Sequence, residues 1–82
     1  MAVILPYKGK VPKIDPTALI APNATIVGDV TIMEGASIWF NVVIRGDLQP
    51  VVIGRYTNVQ ANATIHVMGD APPIVGDYVT IG

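Results

Sequence analysis

The chain has 82 residues, no cysteine and a formal net charge of −1, and 51% of its residues are hydrophobic. A chain of this length forms at most one small domain, and the lack of cysteine excludes disulfides and thiolate metal sites. The near-neutral charge and the absence of a basic cluster disfavour nucleic-acid binding, because neutralising phosphates requires a concentrated Lys/Arg face.

The chain opens with a short apolar stretch, residues 1–5, which ends at Pro6 and is followed by two lysines. This stretch is too short for the core of a signal peptide and far too short to span a bilayer. We therefore expect no targeting signal and no membrane contact. The lack of cysteine fits a reducing compartment, so a cytoplasmic location is expected. Residues 1–13 are interpreted as a lead-in to the repeat that follows.

From Ile14 onward a large aliphatic residue returns every six positions. The units read IDPTAL, IAPNAT, IVGDVT, IMEGAS and IWFNVV, and the phase returns later as IGRYTN, VQANAT and VGDYVT. The fifth position of each unit is small or β-branched. A period of six fits neither a helix nor a plain strand, and Gly, Asn, Asp and Pro fall between the aliphatic residues, where a chain turns.

This pattern predicts an all-β fold, a hexapeptide-type parallel β-helix over residues 14–82 with about three and a half coils. Each coil has three short sides. The first residue of each unit, here called its leader, points inward together with the small fifth residue. A conventional small β-sandwich whose spacing is coincidental is the alternative interpretation.

Stacking of the coils predicts which leaders meet. Side one holds Ile14, Ile32, Ile53 and Val75; side two holds Ile20, Ile38, Val59 and Ile81; side three holds Ile26, Ile44 and Ile65. The step from a side-three leader to the next side-one leader is nine residues after Ile44 and ten after Ile65, where six are expected. Extra loops are therefore predicted near residues 45–52 and 66–74, both at the corner between sides three and one.

Polar residues follow several of these leaders and point outward. The candidate site residues are Arg45, Asp47, Asn58, Gln60 and His66. Arg45 and His66 follow adjacent side-three leaders, so their backbones are expected about one strand spacing apart. His66, the only histidine, is a candidate metal ligand, although a lone histidine on an outer strand face is more often an ordinary surface residue. A surface ion pair alone would also explain Arg45 and Asp47.

Two aromatic residues, Trp39 and Phe40, lie on the predicted outer face and indicate an interface patch more than a cofactor site. They belong to one of three segments that resemble the γ-class carbonic anhydrases and their hexapeptide-repeat relatives. The segments are SIWFNVVIRGD (37–47), IGRYTNVQANATIHV (53–67) and IVGDYVTIG (74–82). The resemblance runs from about Pro6 to the last residue and covers only the N-terminal part of a family member.

The resemblance implies a homotrimer of left-handed β-helices that converts CO₂ to bicarbonate. Zn²⁺, or alternatively Fe²⁺ or Co²⁺, is held between subunits by histidines and activates water as hydroxide. His66 matches the first of these metal ligands. Arg45 and Asp47 match an interfacial arginine–aspartate pair, and Asn58 and Gln60 match residues that orient the metal-bound water or bicarbonate.

The sequence departs from the family pattern at two places. Ala61 stands where the family often has an aspartate, and the second histidine would come directly after Gly82. The chain is therefore expected to be C-terminally truncated relative to the family, with an incomplete metal site, weak zinc binding and little activity alone. Two alternatives remain open: a non-catalytic trimeric scaffold or assembly subunit, and a hexapeptide acyltransferase that uses acetyl-CoA with His66 as general base.

Overall fold

The computed structural model describes residues 2–65 and 74–82, and every regular element in them is a β-strand. In chain order the strands are β1 (Val3–Leu5), β2 (Lys13–Ile14), β3 (Leu19–Ile20), β4 (Thr25–Ile32), β5 (Ser37–Ile38), β6 (Val43–Ile53), β7 (Asn58–Val59), β8 (Thr64–Ile65), β9 (Ile74–Val75) and β10 (Thr80–Ile81). A search of the described residues for a long apolar helix that could cross a membrane finds none.

The strands pair in parallel and wind into a three-sided coil. On side one Ile14 pairs with Ile32, Ile32 with Ile53 and Ile53 with Val75; on side two Ile20 pairs with Ile38, Ile38 with Val59 and Val59 with Ile81; on side three Ile26 pairs with Ile44 and Ile44 with Ile65. The strands fill three coils and two sides of a fourth. The predicted parallel β-helix and its stacking register are confirmed.

The core is the inside of this three-sided prism. The leaders of the middle coils are at most 1% exposed: Ile26, Ile32, Ile38, Ile44, Ile53 and Val59. Removing one such side chain from water stabilises the fold by about 1.5–3 kcal/mol. The leaders of the lowest coil, Ile14 and Ile20, are only partly buried because no complete coil covers them from below.

The fifth position of each unit lies at a corner inside the prism, where a small side chain fits. Ala24, Ala36 and Val42 are fully buried there. Thr57 is the one buried polar residue among the described side chains. Its hydroxyl donates a hydrogen bond of 2.5 Å to the Gly76 carbonyl and accepts one of 3.2 Å from the Val79 N–H. Thr57 thereby ties the third coil to the fourth.

The first residues of the chain add a strand below the first complete coil. In β1, Ile4 pairs with Ile26, so β1 extends side three downward by one rung. A tight turn follows, in which Tyr7 and Lys10 exchange backbone hydrogen bonds and Lys8 has a φ of 48°. The sequence places residues 1–13 before the repeat; the structure shows that part of this segment continues the solenoid.

The corner between sides three and one accommodates the first predicted insertion. Gly28 pairs with Gly46 and Val30 with Val51, so β6 carries three more residues than β4 at this corner. The two strands approach closely there, because a Cβ on Gly46 would meet the Asp29 carbonyl. β6 continues through the insertion as one strand instead of breaking into a separate loop. The second insertion, apart from Ile74, lies outside the described residues.

Candidate functional site

Arg45 and Asp47 form an ion pair in β6. Arg45 follows the buried leader Ile44, and its Nη2 lies 2.7 Å from Asp47 Oδ2. The Arg45 side chain is 49% exposed and that of Asp47 17%. A pair this exposed contributes about 0–1 kcal/mol to stability. Its main effect is therefore to hold the guanidinium in one direction on the outer surface.

Asn58 and Gln60 lie on side two of the third coil. They flank the buried leader Val59, so both side chains point outward. Asn58 is partly buried and Gln60 is exposed. Together with Trp39, Phe40 and Ala61 they line a shallow surface groove of about 310 Å³, here called the side-two groove.

One polar atom of the residues that line this groove is buried without a hydrogen-bond partner among the described residues. Asn58 Oδ1 makes no hydrogen bond to any described residue. Leaving a buried acceptor unpaired costs about 1–3 kcal/mol, so native structures rarely keep one without a water, ion or ligand nearby. Among the described side chains, this amide oxygen is the buried polar atom that has no hydrogen-bond partner.

The four described candidates follow two different sides of the coil: Arg45 and Asp47 come after the side-three leader Ile44, and Asn58 and Gln60 flank the side-two leader Val59. Asn58 and Gln60 line the side-two groove, whereas Asp47 lines a separate cleft with Tyr7 and Asp29. The corner at Asn62, which has a φ of 67°, separates side two from side three. The predicted neighbourhood of all five candidates includes His66 and therefore stays a prediction.

The fifth candidate, His66, lies outside the described residues, so its predicted role as a metal ligand stays a prediction. The last described residue before it, Ile65, pairs with Ile44. Among residues 2–65 and 74–82 no three His, Cys, Asp or Glu side chains form a group that could hold a metal. With one histidine and no cysteine in the chain, the residues of one copy do not fit a complete zinc site.

The sequence analysis missed a charged and aromatic column at the corner between sides one and two. Arg55 Nη2 donates to Asp77 Oδ2 at 3.0 Å, and the Arg55 N–H donates to Asp77 Oδ1 at 2.8 Å. These hydrogen bonds lower the pKa of Asp77 below its ordinary value, and the Asp77 contact raises the pKa of Arg55. The rings of Tyr56 and Tyr78 stack beside them at 5.4 Å.

This column could have been found from the repeat. Arg55 follows the leader Ile53 by two positions and Asp77 follows Val75 by two, so the register places them on adjacent rungs. The same reasoning that grouped Arg45 with His66 applies here. None of the residues of this column is among the described residues that line the side-two groove.

Comparison with known proteins agrees with this architecture. The bacterial transferase hexapeptide (six repeats) family matches residues 12–46. Over 80 residues, 98% of the chain, the sequence is 52% identical to a carbonic anhydrase from Geobacillus kaustophilus and covers 44% of that protein. It is also 44% identical over 79 residues to the mitochondrial gamma carbonic anhydrase 1 of Arabidopsis thaliana, covering 89% of this chain and 29% of that protein.

Over nearly its whole length, the chain is therefore similar to γ-class carbonic anhydrases and to hexapeptide-repeat proteins. A crystal structure of an acetyltransferase candidate from Bacillus cereus has the same fold, with a TM-score of 0.95 and 51% identity. That match covers 98% of this chain and 46% of the solved one. This γ-carbonic anhydrase-like chain thus spans less than half the length of the relatives it matches.

Proposed function

We propose that this γ-carbonic anhydrase-like protein takes part in metal-dependent hydration of CO₂ to bicarbonate. The support is the 52% identity to a carbonic anhydrase over nearly the whole chain. The alignment includes the region of Arg45, Asp47, Asn58 and Gln60, the polar residues that the resemblance links to the site.

The observation that carries the proposal is the register on side three. Ile44 pairs with Ile65, and the next residues in sequence are Arg45 and His66. A regular continuation of that pairing would put the only imidazole of the chain one rung from a guanidinium already oriented by Asp47. Side chains on a strand are held more precisely than side chains on a loop, which supports this part of side three as the place of the reaction.

The metal site itself is proposed to be shared. One histidine cannot hold a catalytic zinc, which in proteins has about three protein ligands. We propose that His66 supplies one ligand and that the others come from neighbouring copies in a homotrimer or from residues outside these 82. Zn²⁺ is the proposed metal, with Fe²⁺ or Co²⁺ as alternatives. The Arg45–Asp47 pair would then contact the neighbouring subunit.

A first experiment uses the 82-residue chain as it stands. We expect zinc binding weaker than micromolar by isothermal titration calorimetry, and little CO₂ hydration in a stopped-flow assay. Micromolar zinc binding with clear turnover by this chain would contradict the idea that residues outside these 82 complete the site.

A second experiment restores a longer chain. The 82 residues are fused to the portion of the Geobacillus relative that continues beyond the matched segment. We expect the fusion to form trimers, bind zinc and hydrate CO₂. His66→Ala should weaken zinc binding by more than about 100-fold, the upper range for losing an outer partner of a metal ligand. Glu34→Gln, exposed at another corner, is the matched control and should change neither property.

A folded, trimeric fusion that binds zinc but does not hydrate CO₂ would contradict the proposed reaction. A folded, trimeric fusion that binds no metal would favour the non-catalytic scaffold instead. The acyltransferase alternative is supported by the transferase hexapeptide match and by the Bacillus cereus structure. Saturable binding of acetyl-CoA to the fusion, lost in His66→Ala, would favour that alternative.

A further inference from the structure

The lower end of the prism, here called the N-terminal base, consists of residues 2–20 with strands β1, β2 and β3. Among the described residues each of these strands pairs along one edge only, β1 and β2 with β4 and β3 with β5. The unpaired edges face the base, because the partner strands lie in the next coil. Ile14 and Ile20 are only partly buried there, and Ile4 is 44% exposed. The N-terminal base therefore exposes the end of the apolar core.

Large apolar side chains surround this end of the core. Every residue from 3 to 11 is exposed. Six of the eleven exposed large hydrophobic side chains in the described part of the chain belong to the N-terminal base: Val3, Ile4, Leu5, Tyr7, Val11 and Leu19. Val11, between the tight turn and β2, is 59% exposed. Exposed apolar groups gathered in one region are typical of a surface that contacts another protein or a membrane.

The cationic side chains are concentrated at the same end. Lys8, Lys10 and Lys13 are exposed and account for three of the five Lys and Arg residues of the chain. Asp15 is the one acidic residue before Asp29. Because the whole chain carries a formal net charge of −1, the base is positive and the coils above it are negative. The N-terminal base therefore combines apolar surface with an excess of positive charge.

These lysines make no ion pair in the described part of the chain. Asp29 and Asp47 line the same cleft as Lys8 and Lys10. Neither carboxylate reaches a lysine within ion-pair distance, and Asp47 is paired with Arg45 instead. The ammonium groups can therefore contact a negatively charged partner without first breaking an ion pair to a described residue.

The surroundings of the unpaired edges disfavour a protein strand as the partner. Pro6 directly follows β1 and Pro12 directly precedes β2, and proline has no N–H to donate to a sheet. β2 and β3 are two residues long, and the three edges lie on three sides of the prism, so one added strand cannot pair with all of them. A second base would bring lysines together across the contact. These features favour a negatively charged partner that needs no strand pairing.

We propose that the N-terminal base is a docking surface for the headgroup region of an anionic lipid bilayer. The three lysines contact lipid phosphates, and apolar side chains such as Ile4 and Val11 enter the boundary between headgroups and acyl chains. The apolar stretch at residues 1–5 is too short to span a bilayer, which is why the sequence predicts no membrane contact. Contact at the surface requires no spanning segment, and it does not depend on the proposed hydration of CO₂.

The experiment measures how the 82-residue chain cosediments with lipid vesicles, in EDTA and without substrate. One set of vesicles is pure phosphatidylcholine, which is neutral, and the other is phosphatidylcholine mixed with anionic phosphatidylglycerol. We expect saturable binding to the mixed vesicles and much weaker binding to the neutral ones. Binding should also fall as salt is raised, because the screening length shortens from about 30 Å at 0.01 M to about 8 Å at 0.15 M salt.

Two pairs of variants locate the contact. Lys13→Gln should weaken binding to the mixed vesicles about fivefold, the effect of one lysine near an anionic surface. Arg55→Gln, its matched control, removes the same charge from the third coil and should leave binding unchanged. Val11→Ser should weaken binding about fivefold by removing apolar contact. Tyr78→Ser, in the fourth coil and 75% exposed in the original chain, is the control for that change.

Equal binding to both kinds of vesicle, or binding to neither, would overturn the inference. Equal losses in Lys13→Gln and Arg55→Gln would do the same, because they would place the contact elsewhere. Circular dichroism checks that each variant is folded, and Lys10→Gln in the exposed turn replaces Lys13→Gln should that variant unfold. Sedimentation velocity without vesicles tests the other occupant: self-association that Val11→Ser abolishes would assign the base to a second copy of the chain and overturn the lipid contact.

Discussion

Ile38 and Ile20 are partners in the same stack on side two, yet their environments differ. Ile38, in the second coil, is fully buried, while Ile20, in the first coil, is partly exposed. The residue type and the position in the hexad are identical. What differs is the number of neighbouring coils, because each coil of a solenoid contacts only the one above and the one below. Stability is therefore concentrated in the middle of this chain.

The largest expected effect tests this difference directly. Ile38→Ala should lower the free energy of unfolding by about 2–5 kcal/mol, since it leaves a cavity between two coils. Ile20→Ala, the matched control, should cost clearly less because its site is open to solvent on one side. Urea denaturation of the two variants measures both values. Equal losses would show that the ends of the solenoid are packed as tightly as its middle.

The next effect compares Gly54 in the third coil with Gly76, which stacks on it in the fourth coil. A Cβ on Gly54 would lie 2.5 Å from the Gly76 carbonyl carbon, whereas a Cβ on Gly76 meets nothing within 4 Å. Gly54→Ala should therefore destabilise the fold by about 1–3 kcal/mol through overpacking. Gly76→Ala should be near neutral. Thermal unfolding of both variants is the measurement. If Gly76→Ala were destabilising, a further layer of atoms would have to lie above the fourth coil.

A smaller effect is expected at the polar residue of the core. Thr57→Val keeps the shape but removes the hydroxyl that bonds Gly76 and Val79. We expect a loss of about 1–2 kcal/mol, because the Val79 N–H loses its acceptor. Thr57→Ser retains the hydroxyl and is the matched control, with only a methyl group lost. Amide hydrogen exchange at Val79 should accelerate in Thr57→Val alone; unchanged exchange would mean that this hydrogen bond is not formed in solution.

The smallest effect concerns pH and the charged column. The hydrogen bonds from Arg55 lower the pKa of Asp77, so the carboxylate favours the folded state above the ordinary aspartate pKa. This contribution is lost as pH falls through the lowered folded-state pKa. Arg55→Met should raise the pKa of Asp77 in an NMR titration. Asp15, whose pKa is lowered by the hydroxyl and N–H of Thr17, should titrate as before. Equal shifts in the pKa of Asp77 and of Asp15 would indicate a general loss of structure.

The repeat allowed the core to be predicted residue by residue. Each leader that the period of six identified pairs with the predicted leader of the next coil, from Ile14 to Ile81. This was possible because a parallel solenoid converts sequence phase directly into spatial position. The added strand β1 escaped the analysis, although the step of ten residues from Ile4 to Ile14 equals the step from Ile65 to Val75 at the same corner.

The candidate site could be predicted only in part. The ion pair of Arg45 with Asp47 was anticipated from spacing, and so was the outward direction of Asn58 and Gln60. The groove that Asn58 and Gln60 line was not, because the corner between sides two and three turns the chain by an angle that residue spacing does not specify. The role of Trp39 and Phe40 as groove walls likewise depends on that turn.

By itself, the sequence determined the coil and its register, because aliphatic residues at a period of six can be buried together only inside a three-sided parallel prism. The tertiary structure alone decided which side chains line a common groove and which buried polar atom has no hydrogen-bond partner among the described residues. The physical reason is that burial follows a periodic pattern along the chain, whereas side-chain hydrogen bonds depend on corner angles and on neighbours from other coils.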